Sequence, residues 1–279
     1  MQKKLKKKPA KKTKIHKVHF VLTPILLGAG VILFIVFYYS LDPRLLAEIS
    51  FYQNLANPNI KIVKVQAGLR KEQIAESVGA KLEWTETEKE SFLNSHVALN
   101  TEDLEGKYFP KTYLIDKDAG PSEVSTTMID EFEKQIEKVK KSPSKEIINE
   151  DTIIKMASII QREAGGKADM ALISGIMWNR FWLGMKLQMD ATLQYAKGSE
   201  EEGWWQKVNS EDKNIESPYN TYLYKGLPPG PIANPGIEAI KAAYNPQKTE
   251  CLFYLHDRKG KIHCTKDYEG HKKNIEIYY

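Results

Sequence analysis

Residues 151–184, DTIIKMASIIQREAGGKADMALISGIMWNRFWLG, decide how this chain folds. Ile153, Ile154, Ala157, Ile160 and Ala164 recur at three- and four-residue steps, the spacing of one helix face. They predict a helix over Asp151–Ala164, stopped by Gly165-Gly166. Ala168–Leu183 then reads as a second, mostly apolar helix, stopped at Gly184. Outward from this pair, Pro121–Lys140 carries Val124, Met128, Phe132 and Ile136 on one amphipathic stripe. The segment KKSPSKE (140–146) is a polar connection. Asn234-Pro235 reads as an N-cap followed by proline at the first helical position, opening a helix to Tyr244. Leu252–His256, DRKG and Lys261–Thr265 read as a β-hairpin. On the other side, Ile60–Gln66 (IKIVKVQ) mixes apolar and polar residues as a half-buried strand does, and Lys71–Val78 reads as a short helix. A further helix begins at Thr85, where Thr85 and Glu88 have capping-box spacing. Glu105–Ile115 is aromatic and extended. Strands and helices mix without a βαβ rhythm, so an α+β class is expected.

The 279 residues hold 41 Lys+Arg against 36 Asp+Glu, a formal charge of +5. That balance hides a sharp asymmetry. Residues 1–17 contain nine lysines and no acid, and the remainder carries 32 basic against 36 acidic side chains. A nucleic-acid binder spreads its basic residues over a folded face; here the excess is one tail, and a nucleic-acid partner is not expected. The run 18–39, VHFVLTPILLGAGVILFIVFYY, has no formally charged residue. About 20 apolar residues cross a ~30 Å hydrocarbon core. No A-x-A-like cleavage site follows, so an uncleaved transmembrane helix is expected rather than a signal peptide. The positive-inside rule then puts the tail at 1–17 in the cytoplasm and residues 40–279 beyond the cell membrane, as a single-pass protein.

Glu163 is the carboxylate with the most distinctive setting. It follows Ile159 by four residues and Met156 by seven, and so shares a stripe with apolar side chains. It also occupies the last helical turn, where the macrodipole disfavours a negative charge. Dipole and burial would both raise its pKa, the condition a general acid needs. The competing reading is a surface Glu paired with Arg162 or Lys155. The cluster PYNTYLYKGLPPGPI (218–232) joins tyrosine faces to hydrogen-bonding groups, a mixture suited to sugar rings and equally to a packed loop. Gln188 and Asp190 follow an apolar helix and could be turn residues or substrate contacts. The six histidines show no zinc spacing, so neither a metal nor a cofactor is expected. His256, His263 and His271 could meet in space, although exposed histidines are the simpler reading. No G-x-S-x-G elbow supports triad hydrolysis. Taking the hairpin loop as centred on Arg258-Lys259, Cys264 falls diagonal to Cys251, ~7–8 Å away and outside bridging range, so two free thiols are expected.

Several of these segments, in this order, resemble the endolytic murein transglycosylases of the MltG/YceG-like family. The similar segments are MASIIQREAG (156–165), WNRFWLGMKLQMDATLQYA (178–196), YNTYLYKGLPPGPIANPG (219–236) and AAYNP (242–246), with EGKYFPKTY (105–113) ahead of them. Gln161 stands where many members carry a second Glu. Met189 and Ala191 stand where a smaller polar residue and a Pro commonly flank the Asp, and Lys107 and Lys111 alter the family's EGYLFPDTY pattern. The resemblance implies a small LysM-like subdomain and connection at 40–118 and a YceG-like mixed α+β catalytic domain at 119–279. It implies that Glu163 is the catalytic acid, with Asn179, Gln188, Asp190, Tyr219, Asn220, Thr221 and Tyr222 on the substrate side. The implied reaction cleaves the MurNAc–GlcNAc bond within peptidoglycan glycan strands to leave 1,6-anhydro ends. Penicillin-binding proteins and other cell-wall synthesis or division proteins are the implied protein partners. Two alternatives are a non-catalytic cell-wall-binding scaffold and a hydrolase that admits water.

Overall fold

The computed structural model describes Val31, Phe34 and residues 56–98, 103–140 and 148–278. The lysine tail, most of the apolar run 18–39 and most of the 140–146 connection lie outside the described residues. Among the described residues no helix is long and apolar enough to cross a membrane. Pro58–Tyr279 forms one compact unit.

Strand β1 (Ile60–Lys64) pairs antiparallel with β2 (Thr112–Asp116), Val63 opposite Tyr113. Between them lie α1 (Lys71–Leu82), α2 (Glu86–Leu93) and the short α3 (Ser95–Ala98). The strand is shorter than its sequence reading, although the Val65 N–H still reaches the Lys111 carbonyl at 2.9 Å. Neighbouring strand residues face opposite ways. Val63 and Val65 therefore point into the core, and the intervening register leaves Ile62 50% exposed. The Thr85 capping box forms: its hydroxyl accepts from the Glu88 N–H, and Glu88 accepts from the Thr85 N–H at 2.7 Å.

Helix α4 (Pro121–Lys140) serves two cores. Val124 and Met128 pack with Val63, Ile74, Phe92 and Tyr108, whereas Phe132, Ile136 and Val139 pack with Ile153, Met156 and Ile160. The second core surrounds α5 (Glu150–Glu163), covered by α6 (Met170–Trp182) and α8 (Ile237–Tyr244), with α7 (Asp190–Lys197) beside it. Ile153, Met156, Ile159 and Ile160 are completely buried. Burying such a side chain contributes ~1.5–3 kcal/mol each, and this makes α5 a rigid support.

Three sequence readings need correction. Asn234 does not cap α8, which starts after Gly236. Its fully buried amide is committed elsewhere: Oδ1 accepts from the Tyr108 N–H (2.8 Å), while Nδ2 donates to the Leu69 carbonyl (3.0 Å) and to Glu105 (2.7 Å). The cysteines are not free thiols but form a Cys251–Cys264 disulfide, Cα to Cα 5.8 Å. The hairpin of β3 (Phe253–His256) and β4 (Ile262–Thr265) sets Tyr254 opposite Cys264, one residue from the expected register. Leu252 and Phe253 both oppose Thr265, since the Leu252 N–H donates to the Thr265 carbonyl (2.8 Å). Such a bulge bends the chain off the flat ladder, and Cys251 reaches its partner. Lastly, the sequence reading has no element after the hairpin, where α9 (Tyr268–Tyr278) packs on β3 and β4 without a single fully buried residue.

Candidate active site

Glu163 is the last residue of α5. The helix starts at Asn149, whose side chain accepts from the Asp151 N–H (3.0 Å), and it carries Glu150 and Asp151 in its first turn. Ala164 is extended rather than left-handed, so the helix ends before the glycine pair. Gly165 has a separate use. A Cβ there would lie 3.2 Å from Asp169 Oδ2 and 3.4 Å from His256 Nε2, so its absence lets the hairpin come close to the helix end. On the far side of α5, Ser158 Oγ accepts from the Ile232 N–H and Gln161 Oε1 from the Gly236 N–H, both at 3.0 Å. These bonds fix the Pro-rich loop to the helix.

The Glu163 carboxylate is half-buried in the wall of a cavity of about 620 Å³. Its Oε1 accepts from the Ala191 N–H at 2.9 Å and its Oε2 from the Tyr254 hydroxyl at 2.8 Å. Removal from water raises its pKa above the ordinary carboxylate value. The two hydrogen bonds and nearby His256 act the other way, and the charge of Asp190 adds to the rise. The surface ion pair weighed from sequence does not form. Lys155 pairs with Asp151 at 2.6 Å, and the Arg162 guanidinium lies over the Trp205 ring at 3.7 Å.

Four of the eight residues singled out from sequence line this cavity: Glu163, Gln188, Asp190 and Tyr222. The Tyr222 hydroxyl donates to Asp190 Oδ1 at 2.5 Å. Gln188 holds a left-handed backbone (φ 55°), a costly conformation for a residue with a side chain that tends to mark functional sites. Arg180 Nη1 donates to Gln188 Oε1 at 3.2 Å and to the Leu187 carbonyl at 2.8 Å. The other four frame the site from behind. Asn179 donates to the carbonyls of Thr249 (2.8 Å) and Cys251 (3.1 Å), which anchors the approach to the hairpin. Buried Thr221 accepts from the Met189 N–H (3.0 Å), and its carbonyl accepts from the Gln188 N–H (3.1 Å). Buried Asn220 donates to the Lys213 and Ile215 carbonyls, and Tyr219 packs on Tyr195 beside a separate cavity.

Arg180, Phe253, Tyr254 and Tyr268 also line the cavity and have no counterpart in the sequence reading. His256 and His271, two of the three histidines that could meet in space, line it with them. His256 lies 3.3 Å from Asp169, and His271 stacks on Phe253, whereas His263 turns to Asp257 and Tyr278. The available signal was the two-residue period of F-Y-L-H, which puts Tyr254 and His256 on one strand face. Among the described residues no cluster of His, Cys, Asp or Glu could hold a metal ion.

The family model described as the YceG-like family matches residues 38–277. An endolytic murein transglycosylase of Bacillus subtilis is 38% identical over 176 residues, 63% of this chain and 48% of that protein. One from Streptococcus pneumoniae strain D39 is 29% identical over 178 residues, 62% of this chain and 32% of that protein. The chain thus matches about half the length of the first relative and a third of the second. The crystal structure of a YceG-like protein from Listeria monocytogenes superposes with a TM-score of 0.67 at 28% identity, covering 76% of this chain and 75% of that one.

Proposed function

Since the chain belongs to the YceG-like family, we propose that it is a membrane-anchored endolytic lytic transglycosylase acting on nascent peptidoglycan. The observation that carries this reading is the Glu163 carboxylate: raised in pKa, set in a cavity wall, and met by one donor on each oxygen. Protonated Glu163 delivers its proton to the oxygen joining C1 of N-acetylmuramic acid to N-acetylglucosamine, and the C1–O bond breaks. The C6 hydroxyl of the same muramic residue bonds to C1, and its proton passes to the Glu163 carboxylate. Glu163 ends protonated as it began, no water is used, and the product carries a 1,6-anhydro ring. A single carboxylate that changes role is sufficient for this chemistry, whereas ordinary glycosidases use two.

Gln188, Asp190 and Tyr222 are the substrate-side residues this reading retains at the cavity. Residues 40–118, whose described part runs β1, α1, α2, α3, β2, are proposed as a LysM-like glycan-binding subdomain and its connection. The uncharged run 18–39 is proposed as the anchor, with the tail cytoplasmic. Protease added to intact spheroplasts should degrade 40–279 and spare the tail; a protected large fragment would contradict that orientation.

One observation favours a hydrolytic second reading: Asp190 puts another carboxylate in the same cavity. Mass analysis of digested glycan strands separates the readings. Anhydro ends, lighter by one water than reducing ends, support transglycosylation. Reducing ends would replace it with hydrolysis, and intact strands would leave a scaffold.

A further inference from the structure

We propose that Tyr254 is a positioning residue for Glu163, and that with the Ala191 amide it forms a two-donor clamp that puts the acid proton on Oε2. The proposal rests on the reading of Glu163 as the acid. The Ala191 N–H is a donor that cannot accept, so the oxygen it meets, Oε1, behaves as the carbonyl oxygen of the neutral acid. The proton then belongs to Oε2. Tyr254 donates along one lone-pair direction of that oxygen, and the proton takes the other. Tyr254 lines the cavity together with Glu163, whereas Ala191 is 2% exposed and does not. The proton-bearing oxygen is therefore the one on the cavity side.

The clamp also works during the step. As the proton leaves, Glu163 becomes a carboxylate, and the bond from Tyr254 becomes charge-assisted, hence shorter and stronger. An interaction that strengthens along the reaction accelerates it. Tyr254 keeps its own proton throughout, because burial and the Glu163 charge push its hydroxyl well above the ordinary value. The donors come from opposite sides of the acid, 28 and 91 residues away in sequence. Ala191 lies in the first turn of α7, beside Met189, which is fixed to Thr221. Tyr254 pairs with Cys264, whose disulfide closes the hairpin, and Arg180 Nε holds the neighbouring Leu252 carbonyl at 2.5 Å. The other charged or titratable groups around Glu163 are Asp190 on α7, His256 on β3, Arg162 on its own helix, and Arg180 and Tyr222 in the cavity wall. Asp190 favours the neutral acid, and His256 together with both clamp bonds favours the carboxylate.

The test is the pH profile of glycan-strand cleavage by the full chain. Tyr254→Phe should lower kcat roughly ten- to a hundredfold, leave KM nearly unchanged and move the alkaline limb to higher pH, because a donor favouring the carboxylate is lost. Ala191→Pro removes the other N–H in a helical turn that tolerates proline, and should move the limb the same way. Tyr254→3-fluorotyrosine, with a more acidic hydroxyl, should move it to lower pH, and it decides the matter if Tyr254→Phe folds poorly. A limb unmoved in Tyr254→Phe, or fluorotyrosine moving it upward, overturns the clamp. Glu163→Gln is assayed alongside. If it abolishes cleavage while the Tyr254 variants leave the limb unmoved, only the clamp fails; if it keeps cleavage, the acid assignment fails and takes the clamp with it.

Discussion

Glu105 and Glu163 are both glutamates held by donors from distant segments, and they differ in what remains open. Glu105 is 4% exposed. Its Oε1 accepts from Asn234 Nδ2 (2.7 Å) and the Gly106 N–H (3.2 Å), and its Oε2 from the Lys71 N–H (3.1 Å). A carboxylate offers about four acceptor sites, so Glu105 has three of them filled by the protein. Through Asn234 it also ties the β1–α1 region to the loop ahead of α8. Glu163 has one donor per oxygen, is half-buried and borders the larger cavity. Glu105 touches the wall of the separate, smaller cavity but has three of its four acceptor sites taken by the protein, which makes it a joint. Glu163, with one donor on each oxygen, keeps two sites for chemistry. Burial alone does not separate the two, since it raises the pKa of both.

Mutations at the joint should affect stability and spare chemistry. Asn234→Ala breaks three side-chain hydrogen bonds at once and should cost roughly 3–4 kcal/mol in urea unfolding, with cleavage per folded molecule little changed. A loss of cleavage without a loss of stability would erase the distinction. Replacing both cysteines by serine acts on the soft side of the site. The bond closes a short loop at a sequence separation of 13, so about 2–3 kcal/mol should be lost. Cleavage should fall as well, because the hairpin carries Tyr254; unchanged cleavage would show that β3 holds its place without the bond.

A third test of the joint is a slope of stability with pH. Burial, helped by the charge of Glu72, pushes Glu105 up to about 8, against the Lys71 N–H and the charges of Arg70 and Lys71. With the pKa raised in the folded state, the native chain holds a proton that the unfolded chain releases near 4.5. Its contribution to stability is therefore complete at low pH, declines as pH rises through that window, and is flat above about 8. Glu105→Gln should flatten this slope in urea midpoints measured from pH 5 to 8. A wild-type slope that persists in the variant assigns it to another group.

The sequence made the helical supports legible and left their long-range partners hidden. The stripes of α4 and α5 and the capping box at Thr85 could be read because local spacing encodes them. The hairpin was found for the same reason, but its bulge at Leu252 was not, and the cysteine geometry failed with it. Asn234 has the sequence of a helix cap, yet its partners Tyr108 and Leu69 lie 126 and 165 residues away. No local pattern reports such contacts. Helix α9 was missed because a helix without fully buried residues has little apolar spacing to read. Of the eight candidate residues, those reaching the cavity and those bracing it came from the same segments, and only the side-chain directions distinguish Tyr222 from Thr221.

Glu163→Gln on purified glycan strands tests the acid assignment most directly. The amide still accepts from the Ala191 N–H, and the Tyr254 hydroxyl can turn to accept from its new NH₂ group, so the fold should persist with little change in melting temperature. The proton is gone. Anhydro ends should therefore appear at least ~10²–10⁴-fold more slowly than with the wild type. Anhydro ends released at a near-normal rate by the folded variant would contradict the assignment of Glu163 as the acid.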